Sequence, residues 1–229
     1  MNSASGVGKD VLEDLLLRRW SCRAFLPDSV PRESITDLLR LAQRAPSWCN
    51  TQPWDVIITH GQGTERFRRE LSAYARNGQM KPDLPMPEDY QGKYLERRRE
   101  CAAQLYESLG IARGDRERSA AQASKNFELF GAPHVAIITI DAAQGLYAAV
   151  DAGVYVGHFL LAATAMGLST IPQAALAVYS PFVRDYFGIP EDRRILAGIS
   201  FGYADITHPT NGFRTSRAGV EEVTQWVDR

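Results

Sequence analysis

The sequence lacks most of the features that assign a chain quickly. Cysteine is scarce: Cys22, Cys49 and Cys101 are odd in number and scattered, which argues against a disulfide framework and for a reducing compartment. A charge excess is missing, with 26 Lys and Arg against 27 Asp and Glu, so nothing points to nucleic acid as a partner. No leader is expected, because Asp10, Glu13 and Asp14 break up the N-terminal twenty residues before any apolar core could form. The four histidines, His60, His134, His158 and His208, stand at no metal-ligand spacing from cysteines or carboxylates, so no metal site is expected. There is no internal repeat and no low-complexity stretch. One apolar stretch, residues 152–168, is nearly free of charge, slightly short for a bilayer span and without a second like it. That run reads as the central helix of a core, not a membrane segment, and the chain is expected to be cytoplasmic.

What is present suffices for a folded domain: 229 residues, 45% of them hydrophobic, enough to bury a substantial core. Apolar spacing predicts a short first helix around Val11–Leu16. A second follows Pro31 through Ile35, Leu38, Leu39 and Ala42 and stops near Pro46. Residues 55–60 read as a strand closed by a Gly61-Gln62-Gly63 turn, with a helix over 64–75 behind it. Residues 76–92 are loop. Helices are expected over 93–109, with Tyr94, Leu95, Cys101, Leu105 and Leu109 inward, and over 116–130. Residues 134–141 form a strand, followed by the apolar helix, a loop over 169–177, a short helix over 180–187 and a strand over 195–203. After Pro209 there is little signal before a weak one at 221–227, and such a tail needs something to cover it. Helices first, then strands separated by long helical insertions, favour an α+β fold.

Several motifs carry less than they promise. Gly198-Ile199-Ser200-Phe201-Gly202 matches the G-x-S-x-G pattern of serine hydrolases, with Asp205 and His208 in the usual order. The nucleophile elbow needs a strand turning sharply into a helix, whereas here an apolar strand runs on through Tyr203. Two glycines that permit close packing are the better reading. Gly61-Gln62-Gly63 lacks the third glycine of a dinucleotide fingerprint, since Arg66 takes its place. Asp151 reads as a capping or first-turn acid, His158 as a satisfied core histidine, and residues 96–100 as a solvated helix face.

Two clusters resist such readings. Arg19, Ser21 and Arg23 alternate on a non-helical segment, so in extended form they project to one side. Two guanidinium forks and a hydroxyl on one face suit a phosphate and its attached polyol. Residues 45–54 place small polar side chains between Pro46 and Pro53 and between Trp48 and Trp54. That rigid loop can offer hydrogen bonds beside a flat aromatic surface.

Four stretches together, RRWSCRAF, APSWCNTQPW, MGLSTIPQAAL and GFRTSR, with NFELFGAPHVAIITID between them, resemble the nitroreductase superfamily of FMN enzymes. The resemblance spans nearly the whole chain in order. It implies one domain over 1–229: an α+β fold with a mainly antiparallel central sheet flanked by helices, in an intertwined homodimer whose C-terminal arm, about 207–229, crosses to the partner. FMN would lie at the interface. Arg19 and Ser21 would hold its phosphate, with Trp20 beside them and Arg23 nearer the ribityl chain and the pyrimidine edge. Arg217, with Arg214, would complete the phosphate site. Pro46, Ser47, Trp48 and Asn50 would come from the other subunit. Pro172, Gln173, Ala174 and Ala175 would face the reactive edge of the ring, and either Asn126 or Lys125 its polar edge. Trp20, Trp48 and Thr215 stand where some relatives carry a histidine, a small residue and a lysine, which leaves the pocket shape open. Residues 74–117 would form a lid.

The implied activity is electron transfer from NADH or NADPH, by a ping-pong mechanism, to nitroaromatics, quinones or similar acceptors, with no essential catalytic side chain. Dehalogenation, desaturation or flavin breakdown on the same fold are the alternatives. A non-catalytic flavin-binding protein and a serine hydrolase acting through Ser200 stand further off.

Overall fold

The computed structural model describes residues 4–228; residues 1–3 and 229, the ends of the expected domain, lie outside the described residues. The centre is a four-stranded sheet of β1 (Trp54–Ile58), β2 (His134–Asp141), β3 (Ser169–Gln173) and β4 (Arg193–Gly202), ordered β1-β2-β4-β3 with every pair antiparallel. The architecture is thus the α+β arrangement expected. β2 and β4 take the middle, and β2 is buried at every residue but its last, because both sheet faces are covered.

Alternation along the strands divides the core in two. Ala136, Ile138, Ile140, Ile199 and Phe201 face one side, where α2 (Arg32–Ala42) and α6 (Gly145–Ala165) cover them. Val135, Ile137 and Ile195 face the other. There they meet Phe67 and Leu71 of α3 (Gln62–Ala75), Val183 of α7 (Ser180–Phe187) and Leu176 of a 3-10 segment, Ala174–Tyr179. α1 (Ala4–Arg18) lies against α6. α4 (Gly92–Ser108) and α5 (Arg116–Ser124) stand apart and contain no fully buried residue.

α6 is long and apolar enough to cross a membrane by composition alone, yet Ala148, Ala152, Tyr155, Phe159 and Ala163 pack it into the core. Its other side presents Leu146, Tyr147, Val150 and Val154 outward. α1 likewise exposes Val7, Val11, Leu12, Leu16 and Leu17.

The expected elements need five corrections. Residues 169–177 are not loop: Ser169–Gln173 is the edge strand β3, and the rest is 3-10 helix. The helix expected over 116–130 ends at Ser124; Leu129 and Phe130 both take positive φ, 56° and 53°. The apolar helix begins at Gly145, seven residues earlier than expected, which puts Asp151 inside it and removes its capping role. Tyr94 of α4 points to solvent. The signal at 221–227 reduces to one 3-10 turn, Val220–Glu222.

The first half of loop 76–92 is pinned to the body. Lys81 N donates to Val178 O, and the Asp83 carboxylate meets Arg184 at 2.6 Å while accepting from Ile195 N at 2.8 Å. Both side chains are largely buried.

Candidate active site

The basic segment reaches its place by extending the sheet. Cys22 N donates to Thr170 O at 2.9 Å, and Ser21 bridges Thr170 in parallel fashion. Residues 21–22 thus cover the outer edge of β3, which would otherwise present unpaired backbone groups. Cys22 is wholly buried, and burial pushes its thiol pKa up to about 11, so it is inert. Asn211, in a turn after Pro209, clamps the same segment: its Oδ1 accepts from Arg23 N at 2.8 Å and its Nδ2 donates to Ala24 O and Asp205 O. No periodicity or motif marked Asn211 beforehand; a polar residue in a turn gives no such signal.

The alternation expected for Arg19, Ser21 and Arg23 does bring them together. With Trp20, Arg214 and Arg217 they line one cavity of about 440 Å3, closed by Leu16, Leu17, Cys101, Phe213 and Thr215. No acid lines it. Arg23 donates to Ser21 O at 3.1 Å and lies over the Phe213 ring. Arg214 stacks over Trp20 at 4.2 Å and donates to backbone carbonyls. Arg217 donates to Thr215 and Ser216 O. Burial and the neighbouring Arg217 charge lower the Arg19 pKa, and burial lowers that of Arg23. Crowded like charges without a counter-charge form an anion site in waiting.

A second cavity, about 330 Å3, adjoins the first, with Ser21 and Arg23 lining both. Its lining includes Asn126, Pro172, Gln173, Ala174 and Ala175, with Leu105, Tyr106, Gln122, Ala123, Phe130 and Ile171. Of the two candidates for the ring's polar edge, Asn126 lines this cavity, while Lys125 is engaged with Glu128 at 2.6 Å. The cleft is therefore basic at one end and amide-lined at the other, with Arg23 at the junction.

Pro46, Ser47, Trp48 and Asn50 are not brought to this cleft in the same chain. Their loop is nevertheless rigid. Cys49, Asn50 and Gln52 all take left-handed φ, which side chains rarely adopt unless held. Ser47 Oγ accepts from Gln52 N at 2.9 Å, and Trp54 Nε1 donates to Gln43, whose amide donates to Gln52. Buried Asp151 accepts from Trp48 N at 3.0 Å, the role that replaces capping. Trp48 itself is exposed and packs edge-on against Tyr147 at 4.7 Å.

The hydrolase arrangement is absent. Ser200 is wholly buried in β4 and donates to Gln173 Oε1 at 2.5 Å; His208 accepts from Thr210 N, and Asp205 from Thr207. The glycines pack closely instead: a Cβ at Gly198 would lie 2.3 Å from Leu176, and one at Gly202 2.6 Å from Pro133. Among the described residues no His, Cys, Asp and Glu cluster could hold a metal.

A sheet of this topology with a two-part cleft of this polarity defines a class. The chain belongs to the nitroreductase family, whose model matches residues 16–203. It is similar to the nitroreductase NfnB of Mycolicibacterium smegmatis, 39% identical over 215 residues, 93% of this chain and 92% of that protein. It is also similar to a 4-nitrobenzoate reductase of Nocardioides sp., 35% identical over 91% of this chain and 87% of that protein. Among solved structures, the FMN-dependent nitroreductase NfnB from Mycobacterium smegmatis in complex with NADPH superposes with a TM-score of 0.91 at 38% identity, covering 96% of this chain and 99% of that one.

Proposed function

We propose that this chain is an FMN-dependent oxidoreductase that takes electrons from NADH or NADPH and delivers them to nitroaromatic compounds, quinones or similar acceptors. The observation that carries the reading is the pair of adjoining cavities, one lined by four arginines and no acid, the other by amides, with Ser21 and Arg23 lining both. These residues fit FMN: an anionic phosphate at the basic end, a polyol along Ser21 and Arg23, and a polar heterocycle at the amide end. The relatives named as FMN-dependent and as reductases of nitrobenzoate point the same way.

When bound, FMN supplies the redox chemistry, accepting hydride from the nicotinamide and passing electrons on. The chain's part is to bind and orient. Arg19, Arg214 and Arg217 hold the phosphate. Arg23, fixed by Ser21 O and Phe213, puts a positive charge beside the ring, where it favours negative charge. Asn126 and the backbone of residues 172–175 meet the ring's polar and reactive edges. No side chain is needed as an essential acid or base.

The site is completed by a second copy. Leu146, Tyr147, Val150 and Val154 on α6 and Val7, Val11, Leu12, Leu16 and Leu17 on α1 are all exposed, and clustered exposed apolar side chains mark interaction surfaces. The loop bearing Pro46, Ser47, Trp48 and Asn50, tied to the same helix through Asp151, is carried by that surface toward the partner's cleft. The C-terminal arm begins on its own chain, through Arg97–Glu222 at 3.0 Å and Ser216–Glu100 at 3.1 Å. Exposed Val223, Trp226 and Val227 are the part that crosses. The segment 74–117 acts as a lid hinged after its anchor at Asp83. The protein works in the cytoplasm.

The test is direct. Purified protein should be yellow and release FMN on denaturation. It should oxidise NADPH or NADH in the presence of 4-nitrobenzoate, with parallel double-reciprocal plots. A colourless protein that neither binds added FMN nor consumes nicotinamide overturns the reading.

A further inference from the structure

The serine of the false hydrolase motif has a use. Ser200, wholly buried in β4, sits across from Ile171, two residues before Gln173 on the same face of the sheet. Its Oγ lies 2.5 Å from Gln173 Oε1. The Gln173 amide then points its Nε2 at Asn126 O, 2.9 Å away, and at Asn126 Oδ1, 3.3 Å away. Asn126 Nδ2 in turn donates to Ala123 O at 3.0 Å.

These contacts fix the direction of every bond. A backbone carbonyl can only accept, so the Gln173 atom facing Asn126 O is the NH2 and the atom facing Ser200 is the oxygen. Ser200 is therefore the donor. By the same logic Asn126 uses its oxygen toward Gln173 and one N–H toward Ala123 O. Its second N–H has no partner among the described residues, at a side chain that lines the amide end of the cleft.

We propose that Ser200 is a positioning residue for the cofactor: by anchoring the oxygen of the Gln173 amide, whose Nε2 meets both oxygens of Asn126, it holds Asn126 in place, so that the cleft offers a hydrogen-bond donor, not an acceptor, to the polar edge of the ring. It acts at the same time on the Gln173 backbone at the reactive edge. Gly198, opposite Gln173 in the ladder, leaves its place to Leu176, so Ser200 supplies the polar contact from this part of β4. Without its hydroxyl the Gln173 oxygen is buried and unpaired, and the Gln173 amide is held through its nitrogen alone.

The proposal rests on the FMN reading, and a double-mutant cycle separates the two. FMN affinity is measured by fluorescence quenching, and the bound flavin's visible spectrum and midpoint potential are recorded, for wild type, Ser200→Ala, Gln173→Leu and the double variant. Thermal unfolding of each apoprotein serves as control. Ser200→Ala should weaken FMN binding by roughly 3- to 10-fold, the loss of about one neutral hydrogen bond, and shift spectrum and potential. In the Gln173→Leu background the same change should have no further effect, since its only route is gone.

Full additivity, or an unchanged affinity, spectrum and potential in Ser200→Ala, overturns the proposal while leaving the FMN site intact. A wild type that binds no FMN overturns both. If Ser200→Ala does not fold, Ser200→Cys keeps a weaker donor in similar volume and should show the same shifts at smaller size; parity with wild type then refutes the idea.

Discussion

Arg23 stands where the two halves of the cleft meet, its amide held by Asn211 and its guanidinium by Ser21 O and the Phe213 ring. Removing it should leave the fold intact and strip charge-assisted bonds from the cofactor. Arg23→Ala is expected to lose about 1.5–3 kcal/mol of FMN binding, read as a 10- to 150-fold rise in Kd; equal flavin content in the two purified proteins would refute its placement. His134 makes a different kind of statement. Its Nε2 accepts from Val30 N at 2.9 Å and its Nδ1 donates to Thr59 O, so the buried ring is neutral. Burial, helped by nearby His60 and opposed by the Thr59 bond, lowers its pKa below the ordinary 6.5. The unfolded chain therefore binds the proton more readily, and stability falls as pH drops below about 6.5. Tm measured from pH 8 to pH 5 should decline through that window, and His134→Gln should flatten the decline.

Among elements, β3 shows what a sequence hides. Ser-Thr-Ile-Pro-Gln carries one large apolar residue and a proline, so it has no alternation and only the pair Thr170-Ile171 as a β-branched signal. It is a strand because it lies at the sheet edge, where proline is tolerated, and because Cys22 N caps its outer side. That pairing is long-range and invisible locally. β2 and α7 were legible to the residue, since a continuous apolar run and a helix-starting Pro181 are local signals. The helix expected through Phe130 failed for the opposite reason: Phe127, Leu129 and Phe130 keep helical apolar spacing, but packing forces two of them into left-handed backbone. In the site, alternating Arg19, Ser21 and Arg23 could be read directly, whereas Asn211, Phe213 and Tyr106 needed the fold to bring them in. Packing at β4 predicts that Gly198→Ala, which drives a Cβ into buried Leu176, costs about 1–3 kcal/mol, visible as a lower denaturation midpoint. Asp83→Ala should cost more, about 3–5 kcal/mol, because it leaves the buried Arg184 charge without its carboxylate; no change in Tm would mean that loop 76–92 is not anchored there.

At the scale of the whole molecule, the proposed dimer joins the exposed apolar faces of α1 and α6 and the loop that misses its own cleft in one arrangement. Val150 lies at the middle of the α6 surface and lines neither cavity. If the chain pairs through this surface as proposed, Val150→Glu should turn a dimer into a monomer in sedimentation velocity and bleach the protein, because a lone copy would lack the wall that the partner supplies. A monomeric wild type that retains FMN would remove this account of the assembly.

The crowding of Arg19, Arg23, Arg214 and Arg217 around one hollow has a practical corollary. Any abundant multivalent anion can settle among them before the nucleotide does. The colour of a preparation should therefore depend on its history: the protein should emerge paler from phosphate or sulfate than from chloride, and regain its yellow on desalting in the presence of free FMN.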